Sequence, residues 1–287
     1  MKYRKLMFGL IIAFCIFAVI SAIYEQIELS SQKDKVDTST ILENQKSQET
    51  LKREFNALFN NAISLNNYDT SKIQKIDSSK EIVYSAYDIQ RNEENKYEVD
   101  IHLPVVNINN ETASKFNQST QTIFADKATE VLSNENDYTI VYNVTYTGFV
   151  NGDILSLIIK STLKEGTNAQ RTIVQTYNYN LETEKEVTIN DAIVAVGADS
   201  AKVTDKIKAI INQAIKEATS IQVSGYATFQ RDINSDIYKL ENVDTFYIGP
   251  DSKLYIIFAY GNNDFTSEMD IIDKIKEKSK RLWQRIY

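Results

Sequence analysis

His102 is the only histidine in the 287-residue chain, so any chemistry that needs an imidazole depends on it. Val99, Ile101 and Leu103 alternate with it, which predicts a β-strand with His102 on the other side, facing solvent or a sheet edge. A lone histidine cannot form a multi-histidine metal site, and a serine–histidine–aspartate triad would have to use this one residue. We therefore predict a structural role for His102 and assign no catalytic residue.

One acidic segment has the beginning of a calcium-binding loop. Asp232-Ile233-Asn234-Ser235-Asp236 follows the D-x-N-x-D pattern. The sixth position of such a loop is normally a glycine and the twelfth a bidentate glutamate, but these positions hold Ile237 and Val243. The segment is better interpreted as a polar surface loop, and we predict neither a metal site nor a cofactor.

Three alternating glutamates are the other candidates for acid–base chemistry. Glu182, Glu184 and Glu186 would share one face if their segment were a strand, and paired carboxylates can hydrolyse glycosidic bonds. The same residues, with Thr183 and Lys185 between them, also fit an ordinary turn after a strand. Both interpretations are open at this stage, and the first supports a hydrolase that uses carboxylates alone.

The end of the chain carries a basic, partly apolar pattern that predicts a helix from Asp270 to Ile286. Its cations could form a solvated face or lie at a membrane interface, as in amphipathic interfacial helices. The cations are Lys274, Lys276, Lys278, Lys280, Arg281 and Arg285, and the apolar side carries Ile272, Ile275, Trp283 and Ile286. Docking of the apolar side on a sheet is the favoured interpretation.

Seventeen tyrosines are an unusual feature of the composition. Many occupy alternating strand positions, so packing in sheets accounts for most of them. Tyrosine also combines a rigid ring with a polar end, which makes it a common contact residue at binding surfaces. A tyrosine-lined binding face is therefore compatible with this pattern.

The elements that must position these residues alternate between hairpins and single helices. Apolar spacing of three and four predicts helices over Ser39–Ser64 and over about Ser200–Thr219, and Asn109 or Asn110 can cap a helix that includes Phe116. The predicted strands are around 82–87, 97–103, 138–146, 155–159, 172–180, 245–248 and 254–258. The order predicts an α+β fold, with antiparallel sheets built from hairpins and helices packed on one face.

The first residues predict a single N-terminal transmembrane anchor. Lys2, Arg4 and Lys5 precede an uninterrupted apolar run, Leu6–Ile23, which Tyr24 closes. A helix over this run is just long enough for a bilayer core, and the one-sided cations keep its start in the cytoplasm. A cleavable signal peptide is the alternative, but the run is long for one and Ile20 is a poor residue three positions before the best cleavage site, after Ala22.

This topology places the rest of the chain outside the cell membrane. The expected parts are an anchor over 1–24, a tether and juxtamembrane helix over 25–64, and two exported α+β domains over 65–195 and 196–287. Cys15, the only cysteine, lies in the anchor, so the exported part has no disulfide. The residues after the anchor carry a formal charge of −10, which argues against nucleic acid as a partner and favours a basic one.

Four segments resemble a family of paired exported domains of unknown function. Tyr97–Val106 with the following Phe116-Asn117 resembles its opening, and Tyr146-Thr147-Gly148 resembles a later part. Tyr177–Asp191 resembles its "N-x-x-x-x-G-K-x-(L/V)-T-(L/I)-x-D" segment, and Phe246–Phe258 its closing hairpin. The family occurs in the ectodomain of the lysozyme-sensing anti-sigma factor of Gram-positive bacteria and ahead of the catalytic domain in some peptidoglycan deacetylases. Glu184 replaces the glycine of the motif here, and one histidine cannot supply the deacetylase's metal ligands.

The resemblance implies an anchored, non-catalytic binding module of the cell envelope. Its ligand would be a protein such as a lysozyme or a cell-wall glycan. The carboxylate-dependent cell-wall hydrolase and a structural partner of a membrane complex are the alternatives.

Overall fold

A computed structural model describes residues 46–133, 137–220, 231–262 and 265–275. All of them belong to one compact unit that begins at Gln45. The anchor residues Lys2, Arg4, Lys5 and Tyr24 lie outside the described residues, so the anchor stays a prediction. Among the helices within the described ranges, none has the length and apolarity that a membrane crossing needs.

The chain folds into a mixed α+β structure with two sheets, as the alternating patterns predicted. The helices are α1 Gln48–Asn56, α2 Glu111–Thr120, α3 Asp126–Leu132, α4 Ile189–Ala195 and α5 Ser200–Ser220. The strands are β1 Ala62–Ser64, β2 Val83–Glu93, β3 Tyr97–Val106, β4 Ile140–Asn151, β5 Ile154–Glu165, β6 Arg171–Asn180, β7 Lys185–Glu186, β8 Phe246–Ile248, β9 Leu254–Asn262 and β10 Phe265–Ile275.

Seven strands form the central sheet in the order β2-β3-β4-β5-β6-β7, with β1 beside β4. Most neighbours are antiparallel, but β3 and β1 each pair in parallel with β4, at successive positions along it. Left-handed glycines close the two hairpins that flank β5, Gly152 at φ +60° and Gly166 at φ +51°, as the Asn151-Gly152 and Gly166-Thr167-Asn168 patterns predicted.

The two faces of the central sheet are covered differently. Helix α2 packs on one face around Phe116 and Phe124. It continues into α3 through a π-helical turn at Gln121–Ala125. On the other face, Phe149 and Ile158 contact α1 and the small sheet β10-β9-β8. Helices α2 and α3 therefore cover one face, as predicted, while helix α1 and a second sheet cover the opposite face.

Helix α5 lies against β10 of the small sheet. The predicted stripe is buried, with Val203, Ile207 and Ile211 each 2 % exposed or less. Ile256 and Ile272 of the small sheet are fully buried as well, although they alternate with residues that face the central sheet. The small sheet is therefore buried on both faces.

Two sequence-based boundaries were wrong. The helix predicted over Ser39–Ser64 is shorter within the described residues: α1 ends at Asn56, and residues 62–64 form β1. The helix predicted from Asp270 is a strand up to Ile275, because this segment pairs antiparallel with β9. Residues 276–287, with most of the predicted cations, lie outside the described residues.

The division at residue 195 remains a prediction. The central sheet is built from residues before it and the small sheet from residues after it. The two sheets nevertheless pack directly on each other around Ile158 and Tyr247.

Buried tyrosines make the fold sensitive to alkali. Burial raises the pKa of Tyr142, Tyr177 and Tyr247 above the usual 10.0, and the neighbouring Asp251 adds to the effect of burial on Tyr255. The folded chain therefore keeps phenolic protons that the unfolded chain releases, so stability should fall as pH rises above about 10.

Urea unfolding at pH 8, 10 and 11.5 checks this expectation. The midpoint should fall between pH 10 and pH 11.5, and the tyrosinate absorbance of the folded chain should rise at higher pH than that of chain unfolded in guanidinium. Coincident absorbance curves for folded and unfolded chain would contradict the burial of these hydroxyls.

Candidate functional site

A cleft of about 440 Å³ opens at one end of the central sheet. We call it the acidic cleft. Three stretches of chain meet there: the connection between β1 and β2, the residue Ile108 after β3, and the end of β6 with the turn that follows. Its lining residues are Tyr68, Asp69, Lys72, Ile73, Ile108, Tyr179, Leu181, Glu182 and Glu184.

Local hydrogen bonds fix the first wall of the acidic cleft. The Asn66 amide donates to the Val150 carbonyl at 2.7 Å, which ties the β1–β2 connection to β4. Asp69 then caps a short 3₁₀ turn by accepting from the Ser71 backbone N–H at 2.9 Å. Tyr68 and Lys72 are therefore held on a braced loop.

The second wall is a tight turn after β6. The Asn180 side chain accepts from the backbone N–H groups of Glu182 and Thr183, at 3.0 and 2.7 Å. This is the turn interpretation of the glutamate segment, so the three glutamates do not share a strand face. Glu182 and Glu184 line the acidic cleft, and Glu186 follows in β7 outside it.

The floor of the acidic cleft is apolar and aromatic. Ile108, Tyr179 and Leu181 belong to the core on the α2 side of the central sheet. The Tyr179 hydroxyl accepts a hydrogen bond from the Asn110 amide, the residue that also caps α2. Capping of α2 and positioning of this ring therefore depend on one side chain.

The charge at the rim is mainly negative. Burial raises the pKa of Tyr68, and the Glu182, Asp153 and Asp69 carboxylates raise it further. Hydrogen bonds from Ser71 lower the pKa of Asp69, so this carboxylate is poorly suited to donate a proton. Three carboxylates face a single cation, Lys72, which suits a ligand that carries positive charge or many hydroxyl groups.

Glu184 adopts a backbone conformation that favours glycine. Its φ is +59°, at the position where the motif that this segment resembles has glycine. A left-handed residue with a Cβ costs about 1–2 kcal/mol, whereas glycine adds some entropy to the unfolded chain. Glu184→Gly should therefore stabilise the fold by about 0.5 kcal/mol, measured as a higher urea midpoint.

Glu182→Gly is the matched control for this substitution. Glu182 is in the same turn but is not among the residues with positive φ. It should lower the urea midpoint, because glycine there relieves nothing and loosens the unfolded chain. Equal effects of the two substitutions would show that Glu184 is not strained.

His102 lies on β3 opposite Asp88 of the edge strand β2, with its side chain 30 % exposed. Its Nδ1 is 2.6 Å from an Asp88 carboxylate oxygen and its Nε2 is 3.1 Å from Asp100. The Ser85 hydroxyl donates to the same Asp88 oxygen at 2.6 Å. Asp88 thus separates the hydroxyl from the imidazole, which is not the order of a nucleophile–base pair.

The calcium-like segment forms a turn of its own. Asp232 accepts from the Asn234 backbone N–H at 2.9 Å, and Asp236 begins a 3₁₀ turn. Within the described ranges, no group of three or more histidine, cysteine, aspartate or glutamate side chains is arranged to hold a metal ion.

Seven of the thirteen tyrosines in the described residues are buried in the core, whereas Tyr68 of the acidic cleft had no recognisable sequence pattern. Tyr142, Tyr179 and Tyr247 are among the largest fully buried side chains. Tyr68 could not be identified from the sequence, because it lies in a polar connection that has neither helical nor strand periodicity. The glutamates of the turn were identified from sequence, but their partnership with Tyr68 arises only from the tertiary fold.

Some solved structures show distant similarity to this chain. No family model matches the chain, and no curated protein matches it. The solved structures that resemble it include two DUF3298 family proteins, which belong to a domain family of unknown function. The protein from Pseudomonas aeruginosa has 13 % identity and a TM-score of 0.34, covering 64 % of this chain and 84 % of its own. The one from Bacteroides fragilis has 12 % identity and a TM-score of 0.31, covering 62 % and 81 %.

Proposed function

We propose that this chain is a membrane-anchored, extracytoplasmic binding module of the cell envelope that takes its ligand in the acidic cleft. The observation that carries this proposal is the cleft itself, an open space of about 440 Å³ with two tyrosines, an apolar floor and an acidic rim. Aromatic rings and hydrogen-bonding rims are suited to sugars and to basic side chains of a protein. A lysozyme-like cationic protein and a cell-wall glycan are therefore the two ligands to test.

The binding test uses the full chain in mild detergent, with hen lysozyme and chitotetraose as separate probes in calorimetric titrations. Tyr68→Ala should weaken binding at least tenfold, because it removes an aromatic contact at the rim. Tyr87→Ala is the control, since Tyr87 is 37 % exposed on the edge strand β2 and does not line the acidic cleft. Equal weakening by both substitutions, or binding to neither probe, would contradict the proposal.

Salt distinguishes the two ligands. Binding of a cationic protein to the Asp69, Glu182 and Glu184 carboxylates should weaken as salt rises, since screening shortens the field to about 8 Å at physiological ionic strength. Binding of neutral chitotetraose should change little. Glu182→Gln, which removes one carboxylate from the cleft, should weaken binding of the cationic protein as added salt does. Glu186→Gln, a change outside the cleft, should leave that binding unchanged.

A cell-wall hydrolase is the alternative, because three carboxylates face the same cleft. Removal of one essential carboxylate would then abolish turnover without unfolding the chain. Incubation with purified peptidoglycan tests this, and we expect no released fragments. Reproducible cleavage that Glu182→Gln or Asp69→Asn removes would replace the binding module with an enzyme.

The proposed location has its own test. A reporter active only outside the cytoplasm, fused after Tyr287, should be active, and the mature chain should keep Lys2, Arg4 and Lys5. The reason is the one-sided charge before the apolar run Leu6–Ile23. A mature N-terminus near Ile23 would contradict the retained anchor, and an inactive reporter would contradict export.

A further inference from the structure

Lys160 lies where a central strand would normally carry an apolar residue. It belongs to β5, between Thr145 of β4 and Val174 of β6. It shares a face with Ile158, which is fully buried against α1 and the small sheet. Lysine is among the residues least often buried unless it is paired, so its position on this covered face calls for a partner.

Among the residues that the structure describes, no carboxylate pairs with the Lys160 ammonium. Its described contacts are the Asn56 amide oxygen at 2.7 Å and the Phe59 ring, whose centroid is 4.6 Å away. Glu268, the carboxylate nearby, is engaged by Lys52 at 2.8 Å. Burial lowers the pKa of Lys160, which is the expected effect when charge is removed from water without compensation.

A cavity of about 250 Å³ opens beside this ammonium. We call it the cationic cavity. Besides Lys160 and Lys52, it is lined by groups that can donate hydrogen bonds: the Thr162 and Thr172 hydroxyls, which face each other across β5 and β6, and the Gln170 amide. The lining therefore carries two positive charges and three hydrogen-bond donors against one negative charge, that of Glu268.

We propose that the cationic cavity binds an anionic oxygen group, a carboxylate or a phosphate, that pairs with Lys160. Such a group supplies the negative charge that the described residues around Lys160 lack, and the hydroxyls and amide satisfy its remaining oxygen lone pairs. The cavity lies on the small-sheet face of the central sheet, whereas the floor of the acidic cleft belongs to the α2 face. The two sites are therefore separate, and this one does not depend on the proposed function.

Thermal unfolding of the full chain in detergent tests the site, with inorganic phosphate, acetate and polyphosphate as probes at constant ionic strength set by chloride. An anion that binds the folded chain raises the unfolding temperature in proportion to ln(1 + [L]/Kd). A shift with phosphate alone identifies a free phosphate group, one with acetate a carboxylate, and one with polyphosphate alone a polymeric source.

The matched variants are Lys160→Met and Lys164→Met. Lys164 lies on the same strand and face but donates to the Asn168 carbonyl, outside the cationic cavity. Lys160→Met should keep the fold, because methionine fills the same space without the charge, and should weaken anion binding at least tenfold. Lys164→Met should bind like the original chain. An unchanged shift in Lys160→Met, or no shift with any of the three anions, would overturn the proposal.

Discussion

Replacement of Ile211 by aspartate should cost the fold several kcal/mol, on the order of 4. Ile211 is fully buried in the middle of α5, within the stripe that packs towards the small sheet. A carboxylate placed there loses its hydration and finds apolar neighbours, and the isoleucine contacts are lost at the same time. Because natural domains have only about 5–15 kcal/mol of stability, this change should bring the chain close to unfolding.

Asn212→Asp is the control for this prediction. Asn212 is the next residue of α5 but is exposed, so the same new charge should lower the urea midpoint only slightly. Circular dichroism melts of both variants make the comparison. Equal melting temperatures for Ile211→Asp and the original chain would mean that α5 does not pack as the structure shows.

Helix α5 was predictable because its signal is local and repeated. Val203, Ile207, Ile210, Ile211 and Ala214 recur at helical spacing over several turns, and the structure buries all of them. The long strands β4, β5 and β6 were predictable for the same reason, since alternation and turn glycines agree. Where local propensity and tertiary packing favour the same helix or strand, that element can be predicted from the sequence alone.

The end of the described chain shows where local signals fail. Ile272 and Ile275, together with Trp283 and Ile286, are spaced as one side of a helix, and the prediction followed that spacing. In the fold, Ile271 pairs with Ile257 and Ile272 with Ile256 of β9, and both faces of the small sheet are buried. A strand covered on both sides needs no alternation, so its apolar residues carry no period-two signal.

Contacts with residues distant in sequence also determine where helix α1 ends. The predicted helix breaks after Asn56 because Asn61 turns towards β4, donating its backbone N–H to the Tyr146 carbonyl at 2.9 Å. Asn61 has φ +57°, a conformation that asparagine tolerates well. Leu51 and Phe55 of α1 are nevertheless buried, as their spacing predicted.

Both candidate sites were largely hidden from the sequence. The acidic cleft unites Tyr68 with Glu182, residues more than a hundred positions apart, in a polar loop and a turn. Lys160 interrupts an apolar run in β5, which resembles the ordinary outward position of an alternating strand. Only the packing of α1 on that face shows that its ammonium is half-buried and that its contacts among the described residues are an amide oxygen and an aromatic ring.

The buried ion pair between Arg231 and Asp270 should be the most sensitive polar contact in the described residues that surround the small sheet. Its side chains are only 4 % and 2 % exposed, and the guanidinium lies 4.1 Å from the centroid of the Tyr260 ring. Burial raises the pKa of Asp270, and Arg231 opposes that rise. Removing one charge therefore leaves the other buried without compensation.

Asp270→Asn should destabilise the chain by about 3–5 kcal/mol, because the Arg231 guanidinium stays buried without its counter-ion. Adding Arg231→Met to the same chain should recover much of this loss, since no unpaired charge remains. The exposed pair of Lys115 and Glu111, with side chains 73 % and 81 % exposed, is the control, and Glu111→Gln should leave the urea midpoint unchanged. A double variant that is less stable than Asp270→Asn alone would show that packing, rather than the buried charge, dominates at this position.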